Sequence, residues 1–259
     1  MDNMTLAQAL SGMLVFPAFL LLARVGGAIM VFPAVSDPSI NMRVRMAIVA
    51  AVTMILYPLL RPTLPAMPDG LGQMSFMLLG EVYVGILLGL GARLMMAALS
   101  YTGEMIAFMA GFQGASLFDP TSGANTAAPT ILLTLMASLL ILVLNLHHQL
   151  IMAVVESYRA FPPGQLPAIG DVNEAFIQIM AELTKLGVQL AAPVVVAGLL
   201  SNALFGVMNR LIPQLQIFFV SVPVSISLGI MVLVAGLGTM MQLWAHATEA
   251  RLTLFNVTG

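Results

Sequence analysis

Seven polar side chains stand inside otherwise apolar stretches: Arg24, Glu81, Arg93, Glu104, Asn145, His147 and His148. Ionisable groups in such surroundings are costly and often mark ion pathways, so Glu81, Glu104 and the two histidines raise the prospect of a proton relay. The simpler reading makes Glu81 and Glu104 structural, hydrogen-bonded near helix ends or at subunit contacts. Spacing limits the options. Glu81 and Arg93 are twelve positions apart, which on one helix is ~18 Å, far beyond ion-pair reach. Each needs a partner on another element. His147 and His148 are adjacent and project to different sides of a helix, so they do not form the i, i+4 pair of zinc-binding helices. Serine nucleophile elbows, phosphate-binding glycine loops and dinucleotide fingerprints are missing from the sequence, and a chain without cysteine has neither thiolate chemistry nor disulfides. The sequence therefore points away from an enzyme and implies no cofactor or metal.

These residues sit in a chain of 259 residues that is 60% hydrophobic and 8% charged, where a soluble domain carries about 25% charged residues. Its apolar runs are too long and numerous for one water-facing core. Lipid or other apolar subunits must cover them. Nine basic residues and a net charge of -2 leave no stripe for neutralising phosphates, which excludes nucleic acid as an expected partner. The start, Met1-Asp2-Asn3, lacks a basic segment ahead of its apolar run and reads as a retained helix.

Runs of about 20 apolar residues cross a bilayer as helices, because the backbone polar groups must be satisfied within the segment. Six runs qualify or nearly so: 13–35, 46–60, 75–99, 131–155, 186–208 and 216–243, the second being short for a span. Pro17, Pro58, Pro193 and Pro223 lie within or at the ends of these runs and predict kinks. Gly85 and Gly89 have the GxxxG spacing that lets another backbone come close. Connections at 36–45, 61–73, 111–130, 160–171 and 209–213 are compact, with no linker between separable parts. The expected fold is all-α: about six long, kinked apolar helices arranged as hairpins in one polytopic membrane-complex domain, 1–259. Basic residues in alternate loops show little bias, Arg43, Arg45 and Arg210 against Arg61, Arg159, Lys185 and Arg251, which departs from a simple serpentine.

The segment from Gly111-Phe112-Gln113-Gly114 through Phe118-Asp119-Pro120 to Thr130 is the one long polar and small-residue interruption. Irregular backbone at membrane depth is tolerated only when buried in protein or lining a cavity. The segment is either an ordinary surface loop or a re-entrant plug with Phe112 and Phe118 as apolar stoppers. Most of the 21 methionines read as gap fillers, a few as a deformable gasket.

Several blocks, in order, resemble the FliR/SctT family, the export-gate proteins of flagellar and injectisome type III secretion. They are Arg24-Val25 with Pro33, Pro38 and Arg43-Val44-Arg45; Gly103-Glu104 with Gly111 and Asp119-Pro120; Asn145 with His147; Ser157 with Pro162 and Gly164; and Asn209-Arg210-Leu211-Ile212-Pro213-Gln214-Leu215 with Phe218 and Pro223. The spacing from Gly103-Glu104 to Asp119-Pro120 is similar to the flagellar branch. The resemblance implies a subunit of a pore-containing gate in the bacterial inner membrane, within the flagellar basal body. Its partners would be FliP-like and FliQ-like subunits, an FlhB-like switch protein, membrane lipid and transient unfolded export substrates. Carried onto this chain, 111–130 is the pore plug, with Met105, Met109, Phe112 and Phe118 as gate residues. Glu104, Asn209, Arg210, Pro213 and Gln214 become subunit contacts. Energy would come from other components. A stand-alone secondary transporter or channel using the intramembrane charges is the alternative, and a membrane scaffold without a conduit is the third reading.

Overall fold

The computed structural model describes residues 3–33, 35–36, 40–68, 70–112, 126–165, 167, 169–212 and 217–257. Among these there are seven α-helices and no strand: α1 (Asn3–Val31), α2 (Met42–Leu60), α3 (Leu71–Met109), α4 (Ala128–Val143), α5 (Leu146–Ala160), α6 (Ile169–Leu211) and α7 (Ile217–Val257). A 3-10 turn, Arg61–Thr63, extends α2. Four helical stretches are long and apolar enough to cross a membrane: Met42–Thr63, Leu71–Met109, Val172–Leu211 and Phe219–Ala250. The pair α4 and α5 makes a fifth if counted as one broken span.

The helices outrun the apolar runs that signal them. The 186–208 run lies in a 43-residue helix whose first turns carry Glu174, Gln178, Glu182 and Lys185. Gln178 Nε2 donates to Glu174 Oε1 at 3.3 Å, one turn away, a pairing that supports a helix without contributing any hydropathy. Asn41 caps α2, its Oδ1 accepting from Arg43 N at 3.0 Å, so that helix starts four residues before its apolar run. Proline does not end these helices: α1, α2, α6 and α7 run on through Pro17, Pro58, Pro193 and Pro223.

The break comes elsewhere. The 131–155 run is two helices meeting at a 70° bend, and the hinge residue Asn145 has φ 56, left-handed backbone. Asparagine tolerates that conformation because its short side chain is not β-branched and hydrogen-bonds locally. The run is therefore not one rod.

Contacts group the chain into two compact units, each assembled from separate stretches of sequence: 1–94 with 141–178 and 250–259, and 95–140 with 179–249. The first has an apolar core formed by Phe16, Leu20, Leu21 and Val25 of α1, Val49 and Leu56 of α2, and Val154 and Tyr158 of α5. In the second, Leu99, Ile106, Leu133, Leu190 and Trp244 are fully buried. Much apolar surface stays outside both. The apolar window of α3 is 44% buried, while that of α7 is only 17% buried. A helix that is apolar all round and so little covered by its own chain needs lipid or another protein against it.

Candidate gate and contact residues

In the first unit the sequence-flagged charges find one another. Arg24 Nε donates to Glu81 Oε2 at 2.7 Å and Nη2 donates to Oε1 at 3.0 Å, a two-pronged pair in which both side chains are 1% exposed. The same guanidinium reaches α5: Nη1 donates to Ser157 Oγ at 3.0 Å and Nη2 to the Phe161 carbonyl at 2.9 Å. Tyr158 OH donates to Glu81 Oε2 at 3.0 Å, and its ring lies 3.8 Å from Arg24 Cζ. Ser157 Oγ hands its own proton to the Val154 carbonyl at 2.6 Å. The planar guanidinium fork suits this work: its donors are divided among a carboxylate, a hydroxyl and a carbonyl at the C-terminal end of α5, where positive charge is favoured. Glu81 stands ten residues into α3 and not near its end, so the end-of-helix expectation fails for it. Its partner lies on another element, as spacing required.

Two glycines make this pair possible. A Cβ added to Gly85 would strike the Arg24 carbonyl, and one added to Gly89 would lie 2.6 Å from the Ala28 carbonyl oxygen. On the other helix, a Cβ on Gly27 would lie 2.8 Å from the Val82 carbonyl oxygen. Backbone therefore meets backbone where α1 crosses α3, and the GxxxG spacing has the role expected of it.

The second unit holds the last turns of α3, from which the 111–130 segment departs. Gly103 faces α4: a Cβ there would meet Thr130 Oγ1 at 2.7 Å. Thr130 Oγ1 in turn donates to Glu104 Oε1 at 2.9 Å, leaving the exposed Glu104 carboxylate fastened on one side. Thr102 shares its hydroxyl hydrogen between the Ala98 carbonyl at 2.8 Å and the Gly187 carbonyl of α6 at 3.1 Å. A Cβ on Gly198 would lie 3.0 Å from the Met109 carbonyl, and one on Gly229 of α7 would strike Ala110. Three neighbouring helices thus come within backbone distance of the end of α3.

Met105 and Met109 are half-buried, one turn apart on that end, and share a face. Phe112, also half-buried, does not continue their stripe. Gly111, at φ 78, ends the helix in the left-handed conformation that glycine takes without strain, with Gly111 N donating to the Phe108 carbonyl at 3.3 Å. The chain direction is reset before Phe112. Phe118 lies outside the described residues, as do Pro213 and Gln214. Asn209 and Arg210 are exposed on the last turn of α6. Arg93 is exposed on α3.

His147 and His148 do not diverge as their adjacency suggests: their rings lie 4.2 Å apart, tilted by 41°. His147 Nδ1 is 3.5 Å from the Ile141 carbonyl, across the α4–α5 break. Within the first unit, Glu81 bonds to Arg24 and Tyr158 and not to either histidine. Sequence reasoning missed Tyr158, a polar aromatic in an apolar turn beside Ser157. It also missed Trp244, fully buried, whose indole N–H donates to the Met95 carbonyl at 2.9 Å. The signal for the second was its rarity: it is the only tryptophan in the sequence.

Comparison with known proteins adds what geometry alone does not. Residues 15–250 match the family model described as bacterial export proteins, family 1. The chain is similar to the flagellar biosynthetic protein FliR of Caulobacter vibrioides, 33% identical over 241 residues, which is 93% of this chain and 96% of that protein. It is 30% identical to the flagellar biosynthetic protein FliR of Pectobacterium carotovorum over 81% of this chain and 80% of the relative. With that of Escherichia coli K12 the identity is 29%, over 83% of this chain and 81% of the relative.

Proposed function

This chain belongs to family 1 of the bacterial export proteins, and from that membership we infer that it is a membrane-embedded subunit of the flagellar export apparatus. One observation carries the inference: the likeness runs from residue 15 to 250 and spans nearly the whole of a FliR relative, so it covers the fold and not a local motif. The finer reading is that the chain helps form and seal an inner-membrane pore through which unfolded flagellar proteins pass. FliP-like, FliQ-like and FlhB-like proteins are its partners in this reading, in the basal body.

The gate residues are Met105, Met109, Phe112 and Phe118, and the contact residues are Glu104, Asn209, Arg210, Pro213 and Gln214. What supports this is placement. Met105 and Met109 share a face at the helix end that three neighbours approach closely, so flexible thioether chains stand on a backbone with little freedom to move. Glu104, Asn209 and Arg210 are exposed polar groups on helices long and apolar enough for a membrane, where lipid is a poor neighbour and protein a good one. Sealing of this kind is passive and needs no chemical step from the chain.

The test is ion conductance of the purified assembly, with FliP-like and FliQ-like subunits, in planar bilayers. Deleting residues 114–125 raises leakage of the resting gate; unchanged conductance in a fully assembled complex would sink the plug assignment. Recovery of the chain as a homomer that moves a small solute would instead favour the stand-alone transporter.

A further inference from the structure

Helix α1 is 29 residues long, ~44 Å at 1.5 Å per residue, and so can reach across a hydrocarbon layer of ~30 Å. It nevertheless carries an arginine, Arg24, in its C-terminal half. An arginine keeps its charge under all ordinary conditions, so it has no neutral form in which to enter lipid. What surrounds the described side chains of α1, 15–31, is largely protein from its own chain. Leu20 and Leu21 are 0% exposed and Val25 is 1% exposed, and of the large apolar side chains from Val15 to Val31 only Val15 and Phe19 are open to the outside.

We propose that the C-terminal half of α1, 15–31, is retained by α3 and α5 of its own chain, with Glu81 as the residue that holds it there. All four donors that Arg24 uses end on these elements or on the Phe161 turn that follows α5. The pairing spans 57 residues of sequence to Glu81 and 133 to Ser157. Retention of α1 therefore awaits the arrival of α3 and is completed by α5. Glu81 acts as a positioning residue, and the two members of the pair are unequal. A carboxylate left alone can take up a proton and become neutral, whereas a guanidinium left alone stays charged. Loss of Glu81 is the more damaging of the two.

The natural chain contains no cysteine, so single thiols report position without background. The probe is L20C in the full-length chain, assembled in native membranes and treated with a membrane-impermeant maleimide. Four backgrounds are compared: parent, E81L, R24L and R24L/E81L. The buried thiol is protected in the parent. E81L raises labelling severalfold, R24L raises it less, and the double substitution returns it towards the parent level because no unpaired charge remains. L133C, buried in the other unit, monitors general unfolding and stays protected throughout. Unchanged protection in E81L overturns the proposal. So does equal labelling of E81L and the double variant, and so does labelling of L133C alongside L20C, since the loss would then be global and not a release of α1.

Discussion

Replacing Gly85 by alanine and Gly91 by alanine makes the same chemical change six residues apart on one helix, and the structure gives the two opposite signs. At Gly91 an added Cβ meets nothing within 4 Å, so only the backbone term operates: alanine is favoured over glycine in a helix by about 1 kcal/mol. At Gly85 the same gain is set against a collision with the Arg24 carbonyl, with Arg24 C at 3.0 Å and Ala28 N at 3.1 Å behind it. These are backbone atoms inside a helix, so relief requires the crossing to widen, and overpacking of this kind costs about 1–3 kcal/mol. The Gly85 contact is the tighter of the two in the motif and belongs at the upper end of that range. The net expectation is a loss of about 2 kcal/mol for G85A, against a gain of about 1 kcal/mol for G91A. For a chain of this size each kcal/mol moves the melting temperature by about 2–4 °C, so the two variants separate by about 6–12 °C. Thermal unfolding of the purified assembly in detergent, followed by loss of soluble complex, is a suitable assay. Equal shifts for the two variants would refute the idea that backbone contact at this crossing, and not helix propensity, explains the glycine.

Two further outcomes follow from single contacts. As the only tryptophan, Trp244 gives the chain a blue-shifted emission that acrylamide quenches weakly; W244F abolishes that signal and costs about 1 kcal/mol or more through the Met95 carbonyl it abandons, read as lower thermal stability. R210A, an exposed substitution on α6, lowers recovery of the chain with FliP-like partners in co-purification while leaving its own melting within about 0.5 kcal/mol of the parent; full recovery of the complex would remove Arg210 from the contact set.

Fold class was legible in the sequence because apolar runs of bilayer length have few other solutions, and the GxxxG spacing foretold a close backbone approach at Gly85 and Gly89, though not that α1 makes it. The partner of Glu81 was not legible. Helical periodicity ranks residues along one element and says nothing of a residue 57 positions away, so the rule that excluded Arg93 had no means of selecting Arg24. Helix ends were missed for a related reason: hydropathy stops counting where α6 becomes polar, although the backbone there is equally helical. Proline marked no helix end: α1, α2, α6 and α7 continue past it, and the 70° break comes at Asn145, whose signal is one polar residue between two leucines. The proposed gate residues come from family likeness, not from their own chemistry; in the sequence Met105 and Met109 look like core methionines.

The left-handed turn at Asn145 divides helices of different character. Helix α4 is apolar on every side, from Ile131 to Val143, apart from Thr134 and Ser138, whose hydroxyls bond back to their own helix. Helix α5 is two-sided: Leu146, Ala153, Val154, Ser157 and Tyr158 are buried, while His148 and Arg159 are exposed on the opposite flank. The buried flank is covered by its own chain, with Val154 and Tyr158 in the core beside α1 and Ser157 against Arg24. The turn thereby acts as a change of solvent demand: ahead of it every flank of the helix asks for apolar neighbours, and after it one flank asks for water or polar groups.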